Sequence, residues 1–151
     1  MARAADVAML RRIVEIRDAQ RQSAQLRATE AAAELSACEH ARAEQKVDLD
    51  HEIARWAEQV HRGGALALTM APLLSASVGR SDASLRRLDE RVRSAEAVLS
   101  ARREAWRVSL QSAEVATGLF KTASKNAQRR RDEAQLNALG ERKGGGIGRE
   151  N

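Results

Sequence analysis

The side chains most able to do chemistry are three histidines and their acidic neighbours. His40 and Glu44 are four residues apart, so a helix would bring both to one face, where they could share a metal ion. Two ligands on an exposed helix make a weak site, and the alternative is that both are solvated. Residues 48–52, Asp-Leu-Asp-His-Glu, superficially resemble an acidic calcium loop but lack its glycine. These residues predict no metal site and no cofactor.

Nucleophilic and nucleotide chemistry has equally little support. Cys38 is the only cysteine, which excludes an intrachain disulfide and is typical of a reducing compartment. It falls within an apolar helical stripe, so we expect a small buried side chain and not a reactive thiol. Lys143 precedes the glycines 144–146 instead of following a phosphate-binding glycine pattern. The sequence therefore predicts a protein that is not an enzyme and has no small-molecule substrate.

The composition favours long helices over a compact core. One Pro, one Phe and no Tyr occur in 151 residues, and the 43% apolar fraction is carried largely by alanine, which forms helices but buries little area. The charge of +5 is spread over mixed acidic and basic residues, which argues against a nucleic-acid-binding arm. No stretch approaches the roughly 20 apolar residues of a membrane span, and the first residues lack the apolar run of a signal peptide. We therefore expect a cytoplasmic protein.

Two apolar stripes at spacings of three and four predict two long helices. The first stripe follows Leu10, Ile13, Arg17, Gln20, Ala24, Ala28, Ala31, Leu35, Cys38, Arg42, Gln45, Leu49, Ile53, Trp56 and Val60. The second, which is stricter, follows Leu85, Leu88, Val92, Ala95, Leu99, Arg102, Trp106, Ser109, Ala113, Ala116, Phe120, Ala123 and Ala127. A heptad stripe keeps one seam facing a partner helix. The predicted fold class is all-α, a long antiparallel two-helix coiled-coil hairpin.

Glycines and Pro72 set the predicted boundaries of one helical hairpin over 1–140. We expect helix 1 over about 3–62, an apolar turn over 63–80, helix 2 over about 81–139, and a flexible tail over 141–151. A turn centred near Ala71 would pair residues whose numbers sum to about 142.

That register predicts which aromatic side chains meet helix 1. Trp106 would face Leu35 to Cys38, and Phe120 would face the stretch around Gln22. Ala19 and Ala24 would leave room there for the ring.

Arginines cluster where the predicted helix termini meet. Arg11, Arg12, Arg17 and Arg21 lie near the start of helix 1, and residues 129–131 are three consecutive arginines near the end of helix 2. Such a cluster is either a solvated polar face, an electropositive surface for an acidic protein, or a nucleic-acid contact. The near absence of stacking aromatics and the interleaved acidic residues argue against nucleic acid.

The predicted turn is a second candidate surface because it is unusually apolar. It either folds over the end of the coiled coil or presents a protein-binding patch, and a two-helix end has little groove to bury so many aliphatic side chains. The predicted protein-binding residues of this tip are Leu66, Leu68, Met70, Leu73 and Leu74.

Residues 9–21, Met-Leu-Arg-Arg-Ile-Val-Glu-Ile-Arg-Asp-Ala-Gln-Arg, open a long Ala-, Gln-, Glu- and Arg-rich helix. This opening resembles the start of the FliJ/YscO family of type III secretion proteins, and the length and predicted architecture agree along the chain. The resemblance implies a non-enzymatic stalk, similar to the gamma-subunit coiled coil of rotary ATPases. It implies as partners the export ATPase hexamer, the cytoplasmic domain of the export gate and secretion chaperones.

By that resemblance the paired helix termini would enter the ATPase ring. The family pattern carries over to Leu10, Arg12, Ile13, Ile16 and Arg17. Together with the second basic cluster, the predicted ATPase-facing residues are Leu10, Arg12, Ile13, Ile16, Arg17, Arg129, Arg130 and Arg131. The alternatives are a scaffolding coiled coil, such as a four-helix bundle of two hairpins, and a nucleic-acid-binding helical protein.

Overall fold

The structure, a computed structural model, describes the backbone of residues 2–144 and the surroundings of the side chains within 5–64 and 68–140. Helix α1 spans Ala2–Arg62 and helix α2 spans Ala65–Gly144. The two helices pack against each other, and the described residues contain no strand, which confirms the all-α helical hairpin. Among these residues, neither helix has a stretch apolar enough to cross a membrane.

The turn consists of Gly63 and Gly64 alone, and the predicted apolar turn over 63–80 is wrong. Gly63 has a φ of 60° and Gly64 a φ of 118°, conformations that side-chain-bearing residues rarely adopt. The left-handed Gly63 directly after Arg62 is the usual way in which a helix ends. The chain therefore reverses within two residues.

Residues 65–80 belong to α2 even though they include Pro72. Proline has no N–H to donate to the carbonyl of Leu68, four residues before it, so the helix lacks one hydrogen bond there. Leu68 is 82% exposed, and water can bond its carbonyl instead. The Ala and Leu residues around Pro72 favour the helix strongly enough to continue it.

The early turn also changes the register. In the structure Cys38 packs with Val92 and Ala95, and Leu35 packs against this cluster. The Ser81 hydroxyl donates to Glu52 Oε2 at 2.9 Å. Such pairs have numbers that sum to about 131 instead of about 142, as expected when an antiparallel pair turns near residue 64. Val92 and Ala95 occupy the position opposite Cys38 that the sequence assigned to Trp106.

The hairpin divides into two compact units. The turn unit is residues 25–104, and the terminal unit combines Met1–Ala24 with Ala105–Asn151. Among the described residues, the buried side chains of the turn unit are Ala28, Cys38, Leu49, Val92, Ala95 and Leu99, and those of the terminal unit are Ala113 and Ala116. Cys38 is 4% exposed, which confirms its predicted place in the seam.

The seam of α1 has a different phase near its start from the predicted one. Val14, Asp18 and Arg21 are half-buried there, whereas Ile13 and Arg17 are exposed. A straight helix has 3.6 residues per turn, so its buried face drifts relative to a strict heptad. Asp18 and Arg21 tolerate their place because they form an ion pair, with Nη2 and Oδ1 2.9 Å apart.

The end of α2 also differs from the prediction. Gly140 does not stop the helix, which continues to Gly144. A single glycine costs about 1 kcal/mol relative to alanine in a helix, which is too little to end one by itself. The predicted tail over 141–151 is thus helical as far as Gly144, and the rest of it lies outside the described residues.

Candidate protein-binding surfaces

The first candidate surface is an exposed face of α1 in the terminal unit, formed by Met9, Arg12, Ile13, Ile16 and Arg17, which we call the aliphatic face. Met9 is 58% and Ile16 is 54% exposed, and Ile13 and both arginines are also exposed. The three aliphatic side chains are spaced i, i+4, i+7, so they line one side of the helix. This spacing is typical of a helix that packs against a partner.

The structure brings together most of the residues predicted on α1 to face a partner, but not all. Ile13 and Ile16 lie on the aliphatic face with Arg12 and Arg17. Leu10 is half-buried and belongs to the seam side. The Arg17 guanidinium donates to Gln20 Oε1 at 3.0 Å along the same helix. The sequence had assigned Ile13 to the seam as well as to a partner, and the structure leaves it on the outside.

The second candidate surface is a cleft between the two helices of the terminal unit, which we call the terminal cleft. It has a volume of about 710 Å³. Its lining residues are Val7, Ala8, Arg11, Phe120, Ser124, Ala127, Gln128, Arg130, Arg131 and Ala134. Phe120, predicted to lie near Gln22, instead shares this cleft with Val7 and Ala8.

Helical periodicity decides which arginines reach the terminal cleft. On α2 Ala127, Arg130, Arg131 and Ala134 have the spacing i, i+3, i+4, i+7 and therefore share a face. Arg129, although adjacent in sequence, is not among the lining residues. The predicted set of residues 129–131 is thus split between two sides of the helix.

The same separation occurs on α1. Arg11 lines the terminal cleft, whereas Arg12 lies on the aliphatic face. Sequence reasoning included Arg11 in the basic cluster but left it out of the binding residues. It also missed Val7, Ala8 and Phe120 as cleft residues because the register it assumed placed them apart. The spacing from Ala127 to Ala134 was the signal that could have found the α2 side.

Among the described residues, the charged side chains that line the terminal cleft all have one sign. None of these lining residues is acidic, and three are arginines. Arg11 Nε lies 3.3 Å from Glu15 Oε1 in an exposed ion pair. Arg130 and Arg131 form no ion pair with any residue in the described part of the chain. Their charges are therefore open to an external acidic group.

A neighbouring cleft in the same unit has both acidic and basic residues in its lining. That cleft, of about 450 Å³, is lined by two acidic residues, Asp18 and Glu114, and two basic ones, Arg21 and Lys121. Asp18 and Arg21 already neutralise each other. A cleft with balanced charges has little electrostatic preference for a partner.

The third candidate surface lies on the turn unit, and we call it the turn-end face. Its exposed apolar side chains are Ile53, Trp56, Val60, Leu68, Met70 and Leu73. Among the residues predicted for the tip, Leu74 is half-buried, and the side chain of Leu66 lies outside the described ones. The exposed residues lie on two helices and not in a loop. A large aliphatic set in contact with water is typical of an interaction surface.

The groups first considered for chemistry do not assemble into a site. His40 Nε2 lies 3.3 Å from Glu44 Oε1 on an exposed stretch of α1. No group of three or more metal-binding side chains occurs in the part of the chain that the structure describes. The Cys38 thiol lies 3.7 Å from Glu34 Oε1.

No protein-family model matches this chain, and no curated protein or solved structure matches it either. Membership of the FliJ/YscO family therefore stands as a hypothesis that rests on residues 9–21 and on the helical hairpin.

Proposed function

We propose that this protein is a non-enzymatic coupling component of a type III secretion export apparatus, acting in the cytoplasm. Its paired helix termini insert into the export ATPase hexamer, and it contacts the export gate and secretion chaperones. The resemblance of residues 9–21 to the FliJ/YscO family suggests these partners. The single observation that carries the proposal is the aliphatic face, which the hairpin leaves unused.

The aliphatic face supports the proposal because its composition fits a helix that must leave water on binding. Burial of a large aliphatic side chain contributes about 1.5–3 kcal/mol, and Met9, Ile13 and Ile16 are available together. Arg12 and Arg17 lie beside them, where they would steer and orient an acidic partner. The three aliphatic side chains are available to a partner because Leu10 and Val14 supply the seam instead.

A coupling protein also needs a second binding surface. The turn-end face supplies one, since the side chains of Ile53, Trp56 and Met70 are exposed on the turn unit. Such a face can bind a second partner through apolar burial with little help from charge.

The test uses the purified export ATPase of the same organism and the full chain. We expect the ATPase to bind the chain and its hydrolysis rate to rise. The double variant Arg12→Glu, Arg17→Glu should weaken binding by about tenfold or more, because two charges beside the buried face would reverse.

The matched control is Arg87→Glu, Arg93→Glu, which makes the same change in net charge at two exposed arginines of the turn unit. It should leave binding to the ATPase within about twofold, because neither arginine belongs to the aliphatic face. Equal losses in both double variants, or no binding of the unaltered chain at modest salt, would refute the proposal.

A scaffold of two hairpins is the second candidate function, and the outer side of α2 favours it. Val108, Val115 and Leu119 are exposed there. The hydroxyls of Ser112 and Thr122 donate to the carbonyls of Val108 and Gly118 at 2.9 and 3.0 Å. Polar groups satisfied within the helix can be buried against another helix at low cost. A mass that doubles with concentration in light scattering would support a four-helix bundle, and a constant monomer mass would exclude it.

A further inference from the structure

We infer that the terminal cleft is a docking site for an acidic amphipathic helix of another protein. The inference does not depend on which apparatus the protein serves. It rests on three properties of the cleft. The floor favours apolar side chains in the ligand, the rim favours negative charge, and the shape favours a helix.

The floor of the terminal cleft is apolar, so a ligand must bring apolar side chains to it. Phe120, the only phenylalanine of the chain, is half-buried there beside Val7, Ala8 and Ala127. Small alanines on both helices leave the space that a ligand side chain would fill. A volume of about 710 Å³ is within the range of about 300–1,000 Å³ that is usual for binding pockets.

The rim requires negative charge. Arg11, Arg130 and Arg131 line the terminal cleft, and no acidic residue is among the described lining residues. Arg11 is paired with Glu15, whereas Arg130 and Arg131 form no ion pair in the described part of the chain. Guanidinium groups form charge-assisted, often bidentate, hydrogen bonds with carboxylates. A ligand with Asp or Glu beside its apolar residues would therefore match both floor and rim.

The groove between two helices selects the form of the ligand. Its lining extends along α2 from Phe120 to Ala134, so a helix can lie in it with its apolar face inward at i, i+3, i+4 and i+7. A nucleic acid would use the arginines but not the apolar floor, because its phosphates gain nothing from contact with Phe120 or Val7. The neutral cleft of Asp18 and Arg21 lacks the charge to attract the same ligand.

The experiment measures fluorescence anisotropy of a labelled synthetic peptide with the full chain. The peptide is an amphipathic helix of about 18 residues, five turns, with Leu on one face and Glu on the other. Its comparison probes are a scrambled peptide of the same composition, a twin with Lys in place of Glu, and a short DNA duplex. We expect saturable binding of the first peptide and no saturable binding of the scrambled or Lys-containing ones.

The three consecutive arginines provide matched variants. Arg130→Gln and Arg131→Gln should each weaken binding of the acidic peptide by about three- to tenfold, because each loses a charge-assisted contact at a partly exposed rim. Arg129→Gln removes the same charge one position away and should change the affinity by less than about twofold, because Arg129 is not among the lining residues and makes no direct contact with a ligand in the cleft. Arg12→Gln, on the aliphatic face, should behave like Arg129→Gln.

A second kind of variant tests the floor without touching charge. Ala134 lies at an exposed end of the terminal cleft, and Ala134→Phe would occupy space that the ligand needs. It should weaken peptide binding by about tenfold while the helical circular dichroism stays unchanged, since an exposed substitution has little effect on stability.

Three results would overturn the inference. Equal effects of Arg129→Gln and Arg131→Gln would show a diffuse basic field instead of a docking site. Binding of the scrambled peptide or of the DNA duplex as tight as that of the acidic helix would show attraction of any polyanion. No saturable binding of the acidic peptide even at low salt would show that the cleft is not a docking site for such a helix. None of these results bears on the ATPase test, which uses the aliphatic face.

Discussion

The turn unit and the terminal unit use the same two helices for different purposes. The turn unit buries Leu49, Val92 and Leu99 and joins its helices by polar contacts, such as the ion pair between Arg42 and Asp89 at 3.6 Å. The terminal unit buries only small residues among those described, Ala113 and Ala116, and keeps many of its large aliphatic side chains in water. The comparison indicates that the large buried side chains are concentrated in the turn unit. Both units expose aliphatic side chains, and we assign ATPase binding to the terminal unit.

The largest expected effect is a loss of unfolding free energy when a leucine is truncated in the turn unit, compared with the same truncation in the terminal unit. Leu99→Ala, in the turn unit, removes a side chain that is 7% exposed and should lower the free energy of unfolding by about 2–3 kcal/mol. Leu119→Ala makes the same chemical change in the terminal unit at a side chain that is 57% exposed and should cost less than about 0.5 kcal/mol. Urea denaturation followed by circular dichroism measures both. Equal losses would contradict the division of roles.

Pro72 gives the next largest effect and tests the helical assignment of residues 65–80. Pro72→Ala restores the missing N–H in α2 and should raise the free energy of unfolding by about 1–3 kcal/mol. Pro72→Gly should raise it less, because glycine is a poorer helix former by about 1 kcal/mol. If residues 63–80 formed a loop, neither replacement would stabilise the protein, so an unchanged or lowered value in both variants would contradict the structure.

A substitution in the two-residue turn should lower the free energy of unfolding, by less than the Pro72 replacements change it. Gly63→Ala places a side chain at a φ of 60° and should destabilise the protein by about 1 kcal/mol. Gly79→Ala, inside α2 with open space where its Cβ would lie, should stabilise it by about 0.5–1 kcal/mol. Thermal unfolding of both variants measures the difference. A stabilising Gly63→Ala would mean that the chain reverses elsewhere.

Periodicity in the sequence was sufficient to predict the fold class and the central seam. The stripe of α2 is regular enough that Val92, Ala95, Leu99, Ala113 and Ala116 are all buried as predicted. The buried position of Cys38 followed from the same reasoning. Spacing determines these features because each helix face must be covered by the other helix.

The register could not be predicted because it depends on where the chain turns. Pro72 and the flanking glycines suggested a long turn, but α2 continues through Pro72 although proline costs a helix about 3 kcal/mol relative to alanine, and the turn is confined to Gly63 and Gly64. That difference moved every facing pair by about 11 positions in the sum of their numbers. The terminal cleft depends on the register, because residues of both helices line it. The sequence therefore indicated the basic residues but not which of them share a site.

The aliphatic face was predicted only in part: the family resemblance indicated Arg12, Ile13, Ile16 and Arg17 as partner-facing, whereas the periodicity did not. A strict heptad assigned Ile13 to the seam, whereas the seam uses Val14, with Ile16 outside. A shift of one residue rotates a helix face by about 100°, which is enough to turn a core position into a binding one.

Hydrogen–deuterium exchange of the full chain, with and without the purified export ATPase, tests the division of roles most directly. In the free chain we expect the slowest exchange around residues 28–49 and 88–99, where the seam is buried. On addition of the ATPase, protection should rise within residues 7–21, which contain the aliphatic face, and stay unchanged in the turn unit. New protection confined to residues 25–104, with none near the aliphatic face, would contradict the assignment of ATPase binding to the terminal unit.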